Sequence, residues 1–293
     1  MRRAIGDGRM LRAVVWVAAL ATLPCGFVRA QQPGGDNLGL ELVDPKVLRV
    51  CSDPSNMPFS NERGEGFENK LAELFAGKLD KKLAYTWYPQ STGFVRQTLG
   101  AFRCDVIMGF PQGNDLVQST NPYYRSVYTL VFKPGAFEGV ETLGDARLAG
   151  KRIGIVAGTP PANYMVADGL MPTAKPYSLV VDTRVDSVGR SMTKDIASGD
   201  IDAGILWGPI AGHFARQIDP PLRVVPLLKE SGKPALNYRI TMGVRPTDQN
   251  WKRELNGLIR DNQPAITRLL LGFNVPLLDE SGRIISEPPA GKP

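Results

Sequence analysis

Short apolar runs alternate along this chain with longer segments whose apolar residues recur every three or four positions. The runs predict strands over residues 47–52, 83–88, 104–109, 128–133, 152–157, 179–182, 202–207, 222–227 and 238–244. The segments between them predict helices near Phe67, Phe94, Pro160, Val188, Ile210 and Trp251, and Pro264 is predicted to open a final helix. Strands that alternate with helices in this way are typical of an α/β fold with parallel sheets.

The order of these elements divides the chain into two α/β lobes. The first lobe comprises residues 46–130 and the returning segment 246–278, and the second comprises residues 135–240. Two crossings, near 128–133 and 238–244, join the lobes. Ligands of such sheets bind beyond the carboxyl ends of the strands, so a site is expected there. Residues 31–45 are predicted to be a flexible lead-in, and residues 279–293, which end in EPPAGKP, a disordered tail.

The amino terminus has the layout of a secretory signal. Four arginines, the last of them Arg12, precede an apolar run over residues 13–23, and Val28-Arg29-Ala30 offers a cleavage site. This run is too short to span a bilayer, which needs about 20 apolar residues. We therefore expect a signal peptide over residues 1–30 and release of the mature protein into the periplasm.

Cleavage changes what the charge implies. The whole chain carries a formal net charge of +6, but residues 1–30 hold five arginines and one aspartate, so the mature chain carries only +2. It keeps no block of five or more basic residues, and nucleic-acid binding is therefore not expected. A composition of 43% hydrophobic and 22% charged residues predicts a folded globular protein.

The candidate catalytic chemistry is sparse. His213 is the only histidine, and no Gly-x-Ser-x-Gly turn accompanies it, so a hydrolase triad is disfavoured. Clustered Cys and His residues for zinc are absent from the sequence. Glu62, Glu65 and Glu68 are better explained by a solvated turn and a helix first turn than by a cation site. Residues 154–159 lack the lysine of a phosphate-binding loop. We therefore expect a non-catalytic protein without a metal or cofactor.

Binding is better supported than catalysis. Gly158 and Thr159 precede a predicted helix, where the threonine either caps the helix or offers its hydroxyl and free N–H groups to an anion. Trp207 ends a predicted strand, and Tyr123 and Tyr124 precede a crossing. Aromatic residues in such places either pack in the core or line a binding face, and the sequence alone leaves both interpretations open.

Several segments, taken in order, resemble the type II periplasmic solute-binding proteins. They are LRVCSDPSNMPFSN (48–61), GEGFENKLAELFAGKL (64–79), FVRQTLGAFRCDVIMG (94–109), STNPYYRSVYTLVF (119–132) and IVAGTP (155–160). The similarity covers about residues 46–278. It implies a two-lobed α/β fold with a parallel sheet in each lobe, two hinge crossings and a cleft between the lobes.

Three motifs resemble one subfamily more specifically. SDPSNMPFSNERGEGFENK (52–70), PYYRS (122–126) and WGPIAGHFA (207–215) are similar to the quinoprotein methanol dehydrogenase-associated proteins of the XoxJ/MxaJ type, with the XoxJ branch nearer. Members are periplasmic accessory proteins of dehydrogenases that use pyrroloquinoline quinone (PQQ), and the XoxJ branch is linked to lanthanide-dependent enzymes. The resemblance implies a cleft that binds the dehydrogenase, its cytochrome c or a small molecule. The expected cleft residues are Asn56, Phe59, Phe110, Tyr123, Tyr124, Gly158, Thr159 and Trp207.

Two departures from the amino-acid binders of this fold agree with that subfamily. Those proteins place an Arg for the substrate carboxylate where this chain reads FPQGND (110–115), and an Asp for the ammonium group where this chain has Trp207. A cleft without both charges should bind a zwitterion poorly. Three functions therefore compete: a dehydrogenase accessory protein, the substrate-binding protein of an ABC importer for a small non-amino-acid solute and, least favoured, a periplasmic hydrolase.

Cys51 and Cys104 are the cysteines that remain after cleavage. In an oxidising compartment two thiols suggest one disulfide, and the alternative is two buried free thiols. The implied fold places them on neighbouring parallel strands, with Cys51 late in its strand and Cys104 at the start of the other. That offset strains the Cα separation of about 4.4–6.8 Å that a bridge requires, so both alternatives stay open.

Overall fold

The computed structural model describes residues 41–113, 115–230 and 236–287. Its strands are β1 (Val47–Ser52), β2 (Ser55–Asn56), β3 (Ser60–Asn61), β4 (Lys82–Trp87), β5 (Val106–Pro111), β6 (Gln118–Ser119), β7 (Tyr124–Phe132), β8 (Ile153–Val156), β9 (Lys175–Tyr177), β10 (Ala203–Trp207), β11 (Arg223–Pro226), β12 (Asn237–Val244), β13 (Leu277–Leu278) and β14 (Ile284–Ile285). Its α-helices are α1 (Phe67–Leu79), α2 (Phe94–Gln97), α3 (Pro161–Ala167), α4 (Val188–Ser198), α5 (Gly208–Phe214) and α6 (Gln249–Gly272). None of these helices is long and apolar enough to cross a bilayer. The expected signal peptide lies outside the described residues, as do residues 31–40 of the lead-in.

One large sheet runs through both halves of the molecule. Its strands lie in the order β4-β1-β5-β12-β7-β10-β8-β9. Strands β4, β1 and β5 are parallel, as are β10, β8 and β9. The two long strands β7 and β12 are antiparallel to each other and to their outer neighbours β10 and β5. The predicted α/β class with parallel strands in each half is confirmed, and the predicted crossings overlap β7 and β12.

Different clusters of buried side chains fill the two halves. In the first half, helix α1 buries Phe67, Leu71 and Phe75, which lie four residues apart on one face, in a cluster that also includes residues of β1, β12 and α6. In the second half, Ile205 and Leu206 are neighbours on β10 but belong to different clusters. Successive side chains of a strand point to opposite faces, so β10 has a buried core on each side.

The prediction that Pro264 opens a separate helix is wrong, because α6 continues through it. Proline cannot donate a backbone hydrogen bond to the carbonyl four residues earlier, which here belongs to Arg260. Arg260 is exposed, so water can satisfy that carbonyl. The buried positions Leu255, Ile259, Ile266 and Leu270 continue on one side of the helix past the proline.

The strand predicted over 179–182 is also wrong. Strand β9 pairs with β8 and ends earlier, at Tyr177. Leu179 and Val180 are each 57% exposed. Their apolar side chains therefore form part of a surface loop instead of a sheet, and a short apolar run alone does not distinguish the two.

The predicted disordered tail is wrong for residues 279–287. Strand β13 pairs with β14 in a short hairpin, and Asp279 holds its turn through hydrogen bonds from Ser281 and Arg283. Leu277 and Leu278 are buried, which anchors the hairpin to the body of the protein. Residues 288–293 of the predicted tail lie outside the described residues.

Cys51 and Cys104 are joined by a disulfide in the structure, with a Cα–Cα distance of 5.4 Å. Cys51 pairs in register with Ile107, so Cys104 lies before the paired part of β5. The offset that the sequence suggests is accommodated because the backbone before β5 approaches β1, where the N–H of Asp105 donates to the carbonyl of Arg49 at 2.7 Å.

Candidate functional site

The parallel strands of both halves end at a common cleft. In the first half, Phe59 lies in the loops after β1, and Phe110 is near the end of β5. In the second half, Thr159 follows β8, and Trp207 ends β10. All four line the cleft, which therefore lies at the edge where ligands of open α/β sheets bind.

The cleft contains two adjoining cavities of about 200 and 480 Å³. Both are lined by Phe59, Gln90, Tyr128, Leu179 and Trp207. The larger one is also lined by Glu68, Gly109, Phe110, Pro111, Tyr124, Pro160, Tyr238 and Ile240. Its volume is in the range of small-molecule sites, which is about 300–1,000 Å³.

Among the described residues that line the cleft, every charged side chain is acidic. Glu68 lines the larger cavity and Asp186 the smaller one, and no lysine or arginine lines either. The start of helix α1 offers no anion site, because the N–H groups of Phe67 and Glu68 donate to the carbonyls of Pro58 and Phe59, each at 2.9 Å. An anionic ligand would therefore lose its hydration without gaining a cationic partner.

Three aromatic rings from three strands form one wall. Trp207 of β10 is in register with Tyr128 of β7, and their ring centroids lie 5.2 Å apart. Tyr238 of β12 lies 6.3 Å from Tyr128 and 6.0 Å from Trp207, in edge-to-face arrangements. Burial raises the pKa of Tyr128 to about 12 and also raises the pKa of Tyr238, so both rings stay neutral at physiological pH.

Glu68, the second residue of α1, is the cleft residue that sequence reasoning missed. Its place in the first turn predicts an acid that favours the helix dipole, but the structure places Glu68 on the larger cavity. Its carboxylate lies against Gly109, where a Cβ atom would be only 2.1 Å from Oε1. Burial, helped by the negative charge of Asp53, raises the pKa of Glu68 to about 8. Its side chain accepts no hydrogen bond from the described residues. The sequence signal that could have identified Glu68 as a cleft residue is the glycine, Gly109, that follows the CDVIM run and leaves space for its carboxyl group.

Asp53 links the two halves across the cleft. It lies just after β1 and is buried, and its carboxylate accepts hydrogen bonds from the backbone N–H groups of Ser55 and Gln90. The hydroxyl of Thr183, from the second half, donates to both oxygens at 2.7 and 2.9 Å. This contact crosses from one half to the other at the mouth of the smaller cavity, which Thr183 also lines.

The structure gathers most of the expected cleft residues. The residues that line one or both cavities are Asn56, Phe59, Phe110, Tyr124, Thr159 and Trp207. Thr159 donates its hydroxyl to the carbonyl of Val156 at 2.6 Å, so that proton serves the turn. Gly158 shapes the same turn with a φ of +77° and is not among the lining residues.

Tyr123 is a core residue rather than a cleft residue. Its side chain is 1% exposed, and its hydroxyl donates to the carbonyl of Met108 at 2.8 Å. Tyr124, its neighbour on the chain, faces the larger cavity instead. Adjacent residues of an extended chain point to opposite sides, so only one of the two tyrosines can line the cleft.

His213 does not line either cavity. Its Nε2 atom lies 2.9 Å from Nε2 of Gln217, and its ring packs edge-on against Phe214. Burial and the nearby charge of Arg190 lower its pKa. Residues 41–287, apart from the few positions not described, contain no group of three or more His, Cys, Asp or Glu side chains that could hold a metal ion.

Comparisons with known proteins identify periplasmic binding proteins among the similar chains. The crystal structure of periplasmic binding protein XoxJ from Methylobacterium extorquens is 43% identical, with a TM-score of 0.69, and the match covers 80% of this chain and 100% of XoxJ. MxaJ from Methylophaga aminisulfidivorans shares the fold at 24% identity and a TM-score of 0.67, over 79% of this chain and 100% of MxaJ. Protein MoxJ of Methylorubrum extorquens is 27% identical over 283 residues, which is 90% of this chain and 93% of MoxJ. No protein-family model matches the chain.

Proposed function

The chain belongs to the family of the XoxJ and MxaJ periplasmic binding proteins, and we propose that it is a non-catalytic accessory protein of a PQQ-dependent methanol dehydrogenase of the lanthanide-dependent type. The observation that carries this proposal is the 43% identity over the full length of XoxJ. The resemblance to the XoxJ/MxaJ proteins and the two-lobed periplasmic-binding-protein fold that it implies are confirmed. The site of action proposed for the mature chain is the periplasm.

We further propose that the two halves act as lobes, one of residues 46–130 and 246–278 and the other of residues 135–240. The long strands β7 and β12 join them, and the cleft lies between. In this view the hydrogen bonds from Thr183 to Asp53 hold a closed arrangement. Binding of a partner segment or solute would then change the balance between open and closed forms.

The cleft chemistry argues against two classes of ligand. An amino-acid zwitterion would find no arginine in the described part of the 110–115 loop and would meet Trp207 in place of an acid. PQQ, which carries three carboxylates, would find no lysine or arginine among the described lining residues. Since unpaired charges are costly to bury, cofactor delivery through this cleft is disfavoured. An apolar, aromatic segment of a partner fits the lining better.

The test is native mass spectrometry of the mature protein captured gently from its own periplasm. A mass increment equal to a dehydrogenase subunit or its cytochrome c is the expected result. Leu179→Lys places a positive charge at the shared edge of both cavities and should abolish the complex, whereas Val166→Lys, at a position that is 65% exposed outside the cavities, should not. A protein that carries only a small exchangeable molecule would overturn the proposal.

The second candidate is the substrate-binding protein of an ABC importer for a small non-amino-acid solute. The cavity of about 480 Å³ favours it, since that volume lies in the range of small-molecule sites. Saturable binding of one solute with closure of the lobes, seen as a smaller radius of gyration in X-ray scattering, would move the assignment to transport.

A further inference from the structure

The larger cavity combines one acid with a wall of aromatic rings. The carboxyl group of Glu68 lines it and accepts no hydrogen bond from the described residues. The aromatic residues around the same space are Phe59, Phe110, Tyr124, Tyr128, Trp207 and Tyr238. An unpaired acid in an apolar site destabilises the folded protein, so its presence points to a ligand that pairs with it.

The local charge is negative from more than one direction. The charge of Asp53 acts on Glu68 from the end of β1, and Asp186 lines the adjoining cavity. No lysine or arginine among the described residues lines either space. The titratable groups around Glu68 are therefore acids and neutral phenols, and no positive charge among the described lining residues balances them.

The aromatic wall suits the same kind of ligand. Ring faces attract cations, most strongly for Trp and Tyr, and an organic ammonium ion also has apolar substituents to bury. Tyr128, Trp207 and Tyr238 lie with ring centroids 5.2–6.3 Å apart, which makes one continuous aromatic surface. On this geometry we propose that the larger cavity binds an organic ammonium group, with Glu68 as its charge partner and the aromatic rings around its substituents. This inference rests on the proposed role of the cleft as a binding site and names the chemistry of its occupant.

Proton release should accompany binding. The pKa of Glu68 is raised to about 8, so much of the free protein carries a neutral carboxyl group at pH 7. The titratable groups that interact electrostatically with Glu68 are Asp53, Tyr85, Tyr123 and Tyr124, and burial keeps the pKa of each tyrosine above its usual range. Pairing with a cation favours the carboxylate, so the cation displaces the proton. Affinity should therefore rise about tenfold from pH 7 to pH 9.

Calorimetric titration with a matched pair of probes tests the proposal. Choline carries the ammonium group, and 3,3-dimethylbutan-1-ol has the same shape without the charge. Choline should bind about tenfold more tightly at pH 8, and Glu68→Gln should abolish that preference and its pH dependence while leaving the alcohol unaffected. Glu73→Gln changes an exposed acid on the same helix and should behave as the unaltered protein.

A second pair of probes identifies the source of the cation. N-acetyl-lysine amide and N-acetyl-norleucine amide present a protein side chain with and without its charge. Tighter binding of the lysine compound than of choline assigns the group to a partner protein, and the reverse assigns it to a free solute. Equal binding of charged and neutral probes, a preference that survives in Glu68→Gln, or no binding at millimolar concentration would overturn the inference.

The failure of this inference is distinguishable from the failure of the proposed function. Purified methanol dehydrogenase is mixed with the unaltered protein and with Glu68→Gln, and complexes are measured by native mass spectrometry. If the dehydrogenase binds while the cationic probes show no preference, the accessory role stands and the cation site is wrong. If the probes show the preference and the dehydrogenase does not bind, the cation site stands and the accessory role is wrong.

Discussion

Replacement of Glu68 by glutamine should change how the stability of the protein depends on pH. The folded protein holds the proton of Glu68 to a pKa of about 8, whereas the ordinary value is 4.5. As pH rises above 4.5, the unfolded chain loses this proton first and is stabilised relative to the folded protein. The contribution of the neutral carboxyl group to stability is therefore present below pH 4.5 and is lost as pH rises to about 8. Glutamine has the shape of the neutral acid and does not titrate.

The size of the effect follows from the interval between the two pKa values. Each pKa unit corresponds to about 1.4 kcal/mol, so the unaltered protein should lose about 3 kcal/mol relative to Glu68→Gln between pH 5 and pH 7. The full difference should approach about 5 kcal/mol above pH 8. Other groups titrate equally in both proteins and cancel in the comparison.

Urea denaturation at pH 5, 7 and 9 measures this difference directly. The free energies of unfolding of the unaltered protein and Glu68→Gln should be similar at pH 5 and diverge at higher pH, with the variant more stable. Glu73→Gln should follow the unaltered protein, because Glu73 is exposed and forms a surface ion pair with Lys70 at 3.0 Å. Parallel curves for the unaltered protein and Glu68→Gln would refute the reasoning, since they would mean that burial does not hold the proton on Glu68.

Two further predictions concern the contact across the cleft and the disulfide. Thr183→Val removes the donor to Asp53 and should favour open forms about fivefold, because one such hydrogen bond contributes about 1 kcal/mol. X-ray scattering of this variant should show a larger radius of gyration. Thr173→Val, which removes an exposed hydroxyl bonded to a backbone carbonyl, should leave the radius of gyration unchanged. Replacement of both Cys51 and Cys104 by alanine removes a cross-link over 53 residues and should lower the free energy of unfolding by about 4 kcal/mol. A loss below about 1 kcal/mol in urea denaturation would contradict the second prediction.

The elements with strong periodicity could be predicted from the sequence, and weakly patterned segments could not. Helices α1 and α4 follow from apolar residues at helical spacing, because a face that must be buried leaves a clear pattern. The apolar run over 179–182 has the same composition as a buried strand. It forms a loop because β9, which pairs with β8, ends before it at Tyr177. Pro264 was a misleading signal because the hydrogen bond that it removes faces solvent.

The candidate site could be predicted in outline only. Trp207 and Phe110 were identified because a strand end predicts which residues reach the cleft. Tyr123 and Tyr124 could not be separated, since the direction of a side chain depends on the register of β7 and β12. Glu68 could not be identified because a helix start is equally compatible with a solvated acid and one that is partly buried in a cleft. Its position in the cleft is set by contact with Gly109, which lies 41 positions later in the chain.

The last helix of the chain completes the first core. Leu255 and Leu270 of α6 belong to the same buried cluster as Leu48 and Leu71, although about 200 residues separate the two pairs along the chain. When a chain emerges from the ribosome, its amino-terminal half is therefore exposed before the helix that covers it exists. Closing so long a loop is slow, so the early half waits in an incompletely packed state. The topology of the described chain therefore delays completion of the first core until the carboxyl-terminal helix α6 has been made.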